Sequence, residues 1–319
     1  MTTTFQPWTR GDVFVAMTDL DNPQDDHAGR GRIVQYSADL ATKKGELALA
    51  ETGHLVGGLK FDPDGVLWAF DSHGFLVLNV HRDGRVRLRQ EFGQRPFSHV
   101  NFMRDGSLLI GEHVAGATIK PEVAARMHTT IPFMPGSSRF GDGHVWRYRP
   151  DGTLVKEYAT AVHGGMAGFL GVTMSVLSPD ESTLIYCSET GPRLMRYDLV
   201  NDQQMPDLQF FVPPYPPGPP PMFFGMDYSP EGRLHVLRGG SLHLLDAQGQ
   251  TARQIPLEGF GWALLDLADA GRSALIANFL SGEVARIDLA SGAKVGSLQT
   301  GAIRSVAGLA EYQGEGDSA

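Results

Sequence analysis

Short apolar runs alternate with turn-forming clusters along nearly the whole chain. Val66-Leu67-Trp68-Ala69-Phe70, Ser107-Leu108-Leu109-Ile110, Thr183-Leu184-Ile185-Tyr186-Cys187, Arg233-Leu234-His235-Val236-Leu237 and Ala274-Leu275-Ile276-Ala277 are each four or five residues long. Runs of this length are too short for helices and suit buried strands. Each follows a turn: Asp62-Pro63-Asp64-Gly65, Arg104-Asp105-Gly106, Ser178-Pro179-Asp180-Glu181, Ser229-Pro230-Glu231-Gly232 or Ala268-Asp269-Ala270-Gly271. Gly65 and Gly106 lie 41 residues apart, and Gly232 and Gly271 lie 39 apart. Third strands with a shared ending follow in Trp146-Arg147-Tyr148, Met195-Arg196-Tyr197-Asp198 and Ala285-Arg286-Ile287-Asp288. That period predicts the four-stranded blades of a β-propeller, five of them between about Val56 and Thr300.

The two ends supply the sixth. Ser305–Tyr312 reads as a first strand with no successor, whereas Asp12–Met17 and Arg32–Tyr36 read as second and third strands with no first. Joining them closes the ring and protects the end strands from open-edge pairing. The expectation is therefore an all-β, six-bladed β-propeller over residues 1–319, closed by pairing of N- and C-terminal strands in one blade. Two insertions interrupt the rhythm, at about 114–143 and 213–224, and both fall on the face of the second-to-third strand connections. The first contains Lys120–Met127, a short helix candidate with proline near its start. The second is extended and rich in proline, methionine and phenylalanine.

Composition narrows the function. The formal charge is −9, without a Lys/Arg block, so a nucleic-acid partner is not expected. No apolar stretch is long enough for a membrane helix, and the N-terminus does not read as a signal peptide. Cys187 is the only cysteine, which rules out an intrachain disulfide and predicts a buried thiol in a cytoplasmic protein.

Polar residues converge where the second strands end: Asp71, Glu112, Ser188, Arg238 and Asn278, followed by Ser72, His113, Glu189, Gly239 and Phe279. His54, His99 and His163 stand at or just before first strands, and His99 takes the position held by Gly58 and Gly225 in other blades. Imidazoles and carboxylates contributed by different blades suit a divalent metal, with zinc, iron or manganese favoured and calcium possible. On that reading His99, His54, His113, His163 and Asp71 are the metal ligands. Glu112, Glu189 and His128 are the candidate catalytic groups, and Arg238, Phe224, Trp262, Phe279 and Asn278 the substrate-binding ones. A bound metal would activate water or polarise a carbonyl.

The stretch Ser178-Pro179-Asp180-Glu181-Ser182-Thr183-Leu184-Ile185-Tyr186-Cys187-Ser188-Glu189, continued through Arg196-Tyr197-Asp198-Leu199, resembles the repeat of the gluconolactonase/regucalcin and strictosidine-synthase-like propellers. Asp62-Pro63-Asp64-Gly65-Val66-Leu67-Trp68 is similar. The resemblance implies a six-bladed propeller that opens a lactone or ester at a divalent-cation site. At the corresponding ligand positions this chain has Gly57 and Thr173, and only Glu189 retains the acidic residue. Hydrolysis of a lactone or ester of a small, fairly apolar molecule is the leading expectation. A metal-dependent lyase or oxygenase, or a propeller that binds a peptide or protein without catalysis, are the alternatives.

Overall fold

In the computed structural model, residues 3–113, 143–162, 171–188, 191–215 and 217–314 are described. Their strands pair antiparallel into six four-stranded sheets, the blades of a six-bladed β-propeller. The candidate helix at 120–127 and the residues His128, His163 and Glu189 lie outside the described residues. No helix among the described residues is long and apolar enough to cross a membrane.

The blades belong to two compact units. The first comprises residues 1–90 and 261–319. Its N-terminal strands are β1 (Val13–Asn22), β2 (Asp25–Tyr36) and β3 (Lys43–Leu49), followed by β4 (Val56–Phe61), β5 (Leu67–Asp71), β6 (Leu76–Val80) and β7 (Val86–Leu88). The second unit covers residues 91–260. One of its blades is β8 (Phe97–Phe102), β9 (Leu108–Glu112), β10 (Val145–Tyr148) and β11 (Leu154–Tyr158). The next is β12 (Met174–Leu177), β13 (Thr183–Cys187), β14 (Arg193–Asp198) and β15 (Gln203–Phe210). The last is β16 (Phe223–Tyr228), β17 (Leu234–Arg238), β18 (Ser241–Leu245) and β19 (Thr251–Pro256). The first unit is completed by β20 (Trp262–Ala268), β21 (Ser273–Asn278), β22 (Glu283–Asp288), β23 (Lys294–Gln299) and β24 (Val306–Glu311).

The expected closure is present. Strand β24 pairs with β1 from Val13↔Glu311 to Ala16↔Gly308, giving the order β24-β1-β2-β3. An edge-to-face aromatic group of Phe5, Trp8, Phe14, Phe61 and Tyr312 packs around that seam, with centroids 4.8 Å apart for Trp8 and Phe14. Such rings bury large apolar area, which holds chain ends that share no covalent link.

Local chemistry explains the turns. Gly65, Gly106, Gly232 and Gly271 have φ of 74°, 81°, 75° and 80°, a left-handed conformation that glycine adopts without a Cβ clash. In the β12–β13 turn, Glu181 takes that role at φ 60°. The second strands are buried throughout in β5, β9 and β21, as their near-continuous apolar character requires.

The first strands are less regular. Register shifts occur in β4 between Gly57 and Lys60, in β8 between Phe97 and His99, and in β16 between Phe223 and Met226. A bulge of this kind re-aims side chains. Strand β12 pairs with β13 without one. In the proline-rich segment, Pro220 lies against the β17–β18 hairpin, where a Cβ on Gly239 would come 3.3 Å from its carbonyl oxygen.

Candidate functional site

The polar residues that end the second strands are anchored to the backbone around them. In the first unit, Asp71 is fully buried. Its Oδ2 accepts from the amides of Gly53 and His54 at 3.0 and 3.2 Å, and its Oδ1 accepts from Gly74 at 2.7 Å. Burial pushes the carboxyl pKa up, against the amides of Gly53, Gly74, His54 and His73. The rings of His54 and His73 meet edge to face beside it, 3.8 Å between centroids. The structure thus brings His54 and Asp71 together and adds His73. Asn278 accepts from the amides of Leu280 and Ser281, both at 3.0 Å. Trp262 is buried, and Phe279 is half-buried with its backbone bonded to Gly261 and Arg304.

The second unit repeats this design. Glu112 is fully buried. Its Oε2 accepts from the amides of Gly143 and His144 at 3.0 and 3.1 Å, while Oε1 receives Arg95 at 2.8 Å. Arg95 in turn stacks on Trp146. Ser188 donates to the carbonyl of Gly171 at 2.6 Å. Burial depresses the pKa of His113 to about 4, so its ring is neutral at pH 7. Arg238 donates to Gln209 at 2.6 Å, lies 3.2 Å from His243 Nδ1 and stacks on Phe211. Burial lowers the pKa of Arg238. Phe224 is half-buried on β16.

These contacts account for the polarity at the strand ends. A buried amide without an acceptor costs about 1–3 kcal/mol, and Asp71, Glu112 and Asn278 supply acceptors where each second strand turns. Their oxygens are therefore committed. Among the described residues, no group of three or more His, Cys, Asp or Glu side chains comes together to hold a metal ion.

A different arrangement occupies the facing first strands β8 and β12 of the second unit. His99 is buried, and its Nε2 lies 2.5 Å from Ser175 Oγ while its Nδ1 lies 2.7 Å from Ser98 Oγ. Asn101 Nδ2 donates to Ser175 Oγ at 2.8 Å. Ser98 Oγ also lies 3.2 Å from the Val172 carbonyl oxygen, to which it can donate. Asn101, Ser175, His99, Ser98 and Val172 thus form one connected set, in which the tautomer of the imidazole sets which ring nitrogen donates.

Local structure makes this set possible. The bulge in β8 lets the adjacent residues Ser98 and His99 address one another. Gly111 on β9 leaves room for the ring, since a Cβ there would sit 2.5 Å from His99 Cε1. On β12, Met174 and Val176 pack toward Phe223 and Met226, whereas Leu177 packs with Leu109. Alternation along the strand puts Ser175 on the Leu177 side. Ser98, Thr173 and Ser175 keep part of their surface exposed, while His99 and Asn101 are buried.

Of these residues, the sequence singled out only His99 as a functional candidate. Ser98, Asn101 and Ser175 were missed. The available signal was polar residues at alternate positions of first strands, Ser98-His99-x-Asn101 and Thr173-x-Ser175, where the other blades are mostly apolar.

No family model matches the chain, and the search of curated proteins gave no match. Solved structures do share its fold. A chain of a nidogen/laminin complex superposes with a TM-score of 0.61 at 12% identity, covering 96% of this chain and 100% of that one. A protein from Lactobacillus plantarum gives 0.56 at 16% identity, with 96% and 87% covered. The periplasmic gluconolactonase of Pseudomonas aeruginosa gives 0.52 at 17% identity, with 97% and 86% covered. The chain thus has the six-bladed propeller fold found in a gluconolactonase, and identities this low carry the fold alone.

Proposed function

We propose that the protein hydrolyses an ester or lactone of a small, fairly apolar molecule, with His99 as general base. The observation that carries this reading is the connected set of Ser98, His99, Ser175 and Asn101, in which His99 Nε2 lies 2.5 Å from a hydroxyl on a part-exposed strand face. A neutral imidazole so placed takes a proton from an attacking oxygen and returns it to the leaving one. The likeness to a gluconolactonase supports the choice of acyl chemistry. The Met/Phe-bearing segment 213–224 favours an apolar substrate. Recruitment of a divalent ion would need donors beyond the described residues, with His128, His163 and Glu189 the candidates.

The test is a panel of aliphatic and aryl esters and four- to six-carbon ring lactones, assayed on the full chain with and without EDTA. Turnover above the buffer rate is expected. His99→Gln should lower kcat/KM by about 10²–10⁴-fold while circular dichroism stays unchanged. A folded protein that turns over no member of the panel overturns the reading.

A further inference from the structure

We infer that Ser175 is a nucleophile, acylated by the substrate through covalent catalysis; this inference rests on the hydrolase reading above. Three observations converge on Ser175. Its Oγ lies 2.5 Å from His99 Nε2, within reach for proton transfer. Asn101 donates to the same oxygen, which fixes the orientation of its lone pairs. The far nitrogen of the ring is bonded to Ser98, which in turn is tied to Val172, so the ring is held in one orientation. A nucleophile, its base and the group that orients the base are thus all in contact, the arrangement that activates an otherwise weak alcohol.

The chemistry balances without a metal or co-reactant. Ser175 Oγ bonds to the carbonyl carbon as its proton passes to His99 Nε2, and the carbonyl π pair moves to oxygen. Collapse re-forms the C=O bond and breaks the bond to the alkoxy oxygen, which takes the proton from Nε2. In a lactone that alcohol stays tethered to the acyl group. Water then attacks the acyl-serine, giving one proton to Nε2; the acid leaves and Ser175 Oγ recovers its proton. The net reaction is ester plus water to acid plus alcohol.

The experiment is covalent labelling of the full-length protein with a fluorophosphonate in the presence of EDTA, read by intact mass and peptide mapping, beside the hydrolysis assay on the same preparation. One adduct per chain, on Ser175, is expected. It should vanish in Ser175→Ala and form at least 100-fold more slowly in His99→Gln. Hydrolysis that persists in Ser175→Ala, with no adduct on Ser175 in the native protein, overturns the covalent route and leaves the hydrolase reading standing. An adduct on Ser175 without turnover of any ester or lactone supports the nucleophile and overturns the substrate class. Neither adduct nor turnover overturns both. Near-ultraviolet circular dichroism of each variant separates loss of chemistry from loss of fold.

Discussion

The ends of the second strands and the facing pair β8–β12 are both buried and polar, yet they use polarity in opposite ways. At Asp71, Glu112 and Asn278, side-chain oxygens accept from backbone amides of the adjoining turns. At His99 and Ser175, side chains bond mainly to other side chains, and the part-exposed members of the set, Ser98 and Ser175, are hydroxyls. A carboxylate saturated by amides has little capacity left for a ligand. A hydroxyl in contact with an imidazole nitrogen is placed to exchange a proton with it. Buried charge alone is a poor marker of a site; whether a side chain bonds to backbone amides or to another side chain is more informative.

The sharpest way to break this contrast is Ser175→Ala. It should cut kcat/KM by about 10³-fold or more, roughly 4 kcal/mol, while the thermal midpoint stays within a few degrees of the native value. Asp71→Ala should do the reverse. Removing the acceptor for three amides is expected to cost about 3 kcal/mol of stability, visible as a lower urea midpoint, with kcat of the folded fraction changed only a few-fold. If Asp71→Ala instead abolishes turnover with stability intact, the division between architecture and chemistry is wrong.

Acid sharpens the comparison further. The pKa of His113 is about 4 in the fold and about 6.5 in an unfolded chain. The unfolded state therefore binds more protons as pH falls through this window, and stability is lost from about pH 6.5 down to pH 4, by about 3 kcal/mol. Asp71, with its pKa raised by burial, acts with the opposite sign, because protonation favours the folded form. Urea titrations at several pH values should show the net loss, and His113→Asn should flatten it if it folds. The smallest expected effect is that of Gly111→Ala. Its Cβ would press on His99 Cε1, costing about 1–3 kcal/mol and slowing fluorophosphonate labelling of Ser175 by displacing the ring.

Much of the fold was legible because its determinants are local. Turn glycines with positive φ, strand-length apolar runs and a period near 40 residues all follow from chain sterics and side-chain burial, and the unmatched strands at the two ends implied the pairing of β24 with β1. The site was less legible. The sequence identified polar positions at strand ends but did not show whether Asp71 or Glu112 faced a ligand or a neighbouring amide. It singled out His99, with the reason that other blades place glycine there, but offered it as a metal ligand rather than as the partner of a serine.

The repeat, the closure and the set of polar residues on the first and second strands can be read from residue order, whereas which of those residues meet depends on how the strands pack. Ser175 and His99 are 76 residues apart and touch because β12 lies against β8, a bulge turns Ser98 and His99 toward each other, and Gly111 leaves space for the ring. Hydrogen bonds act over about 3 Å and depend on direction, so no one-dimensional spacing encodes them until the strands are packed.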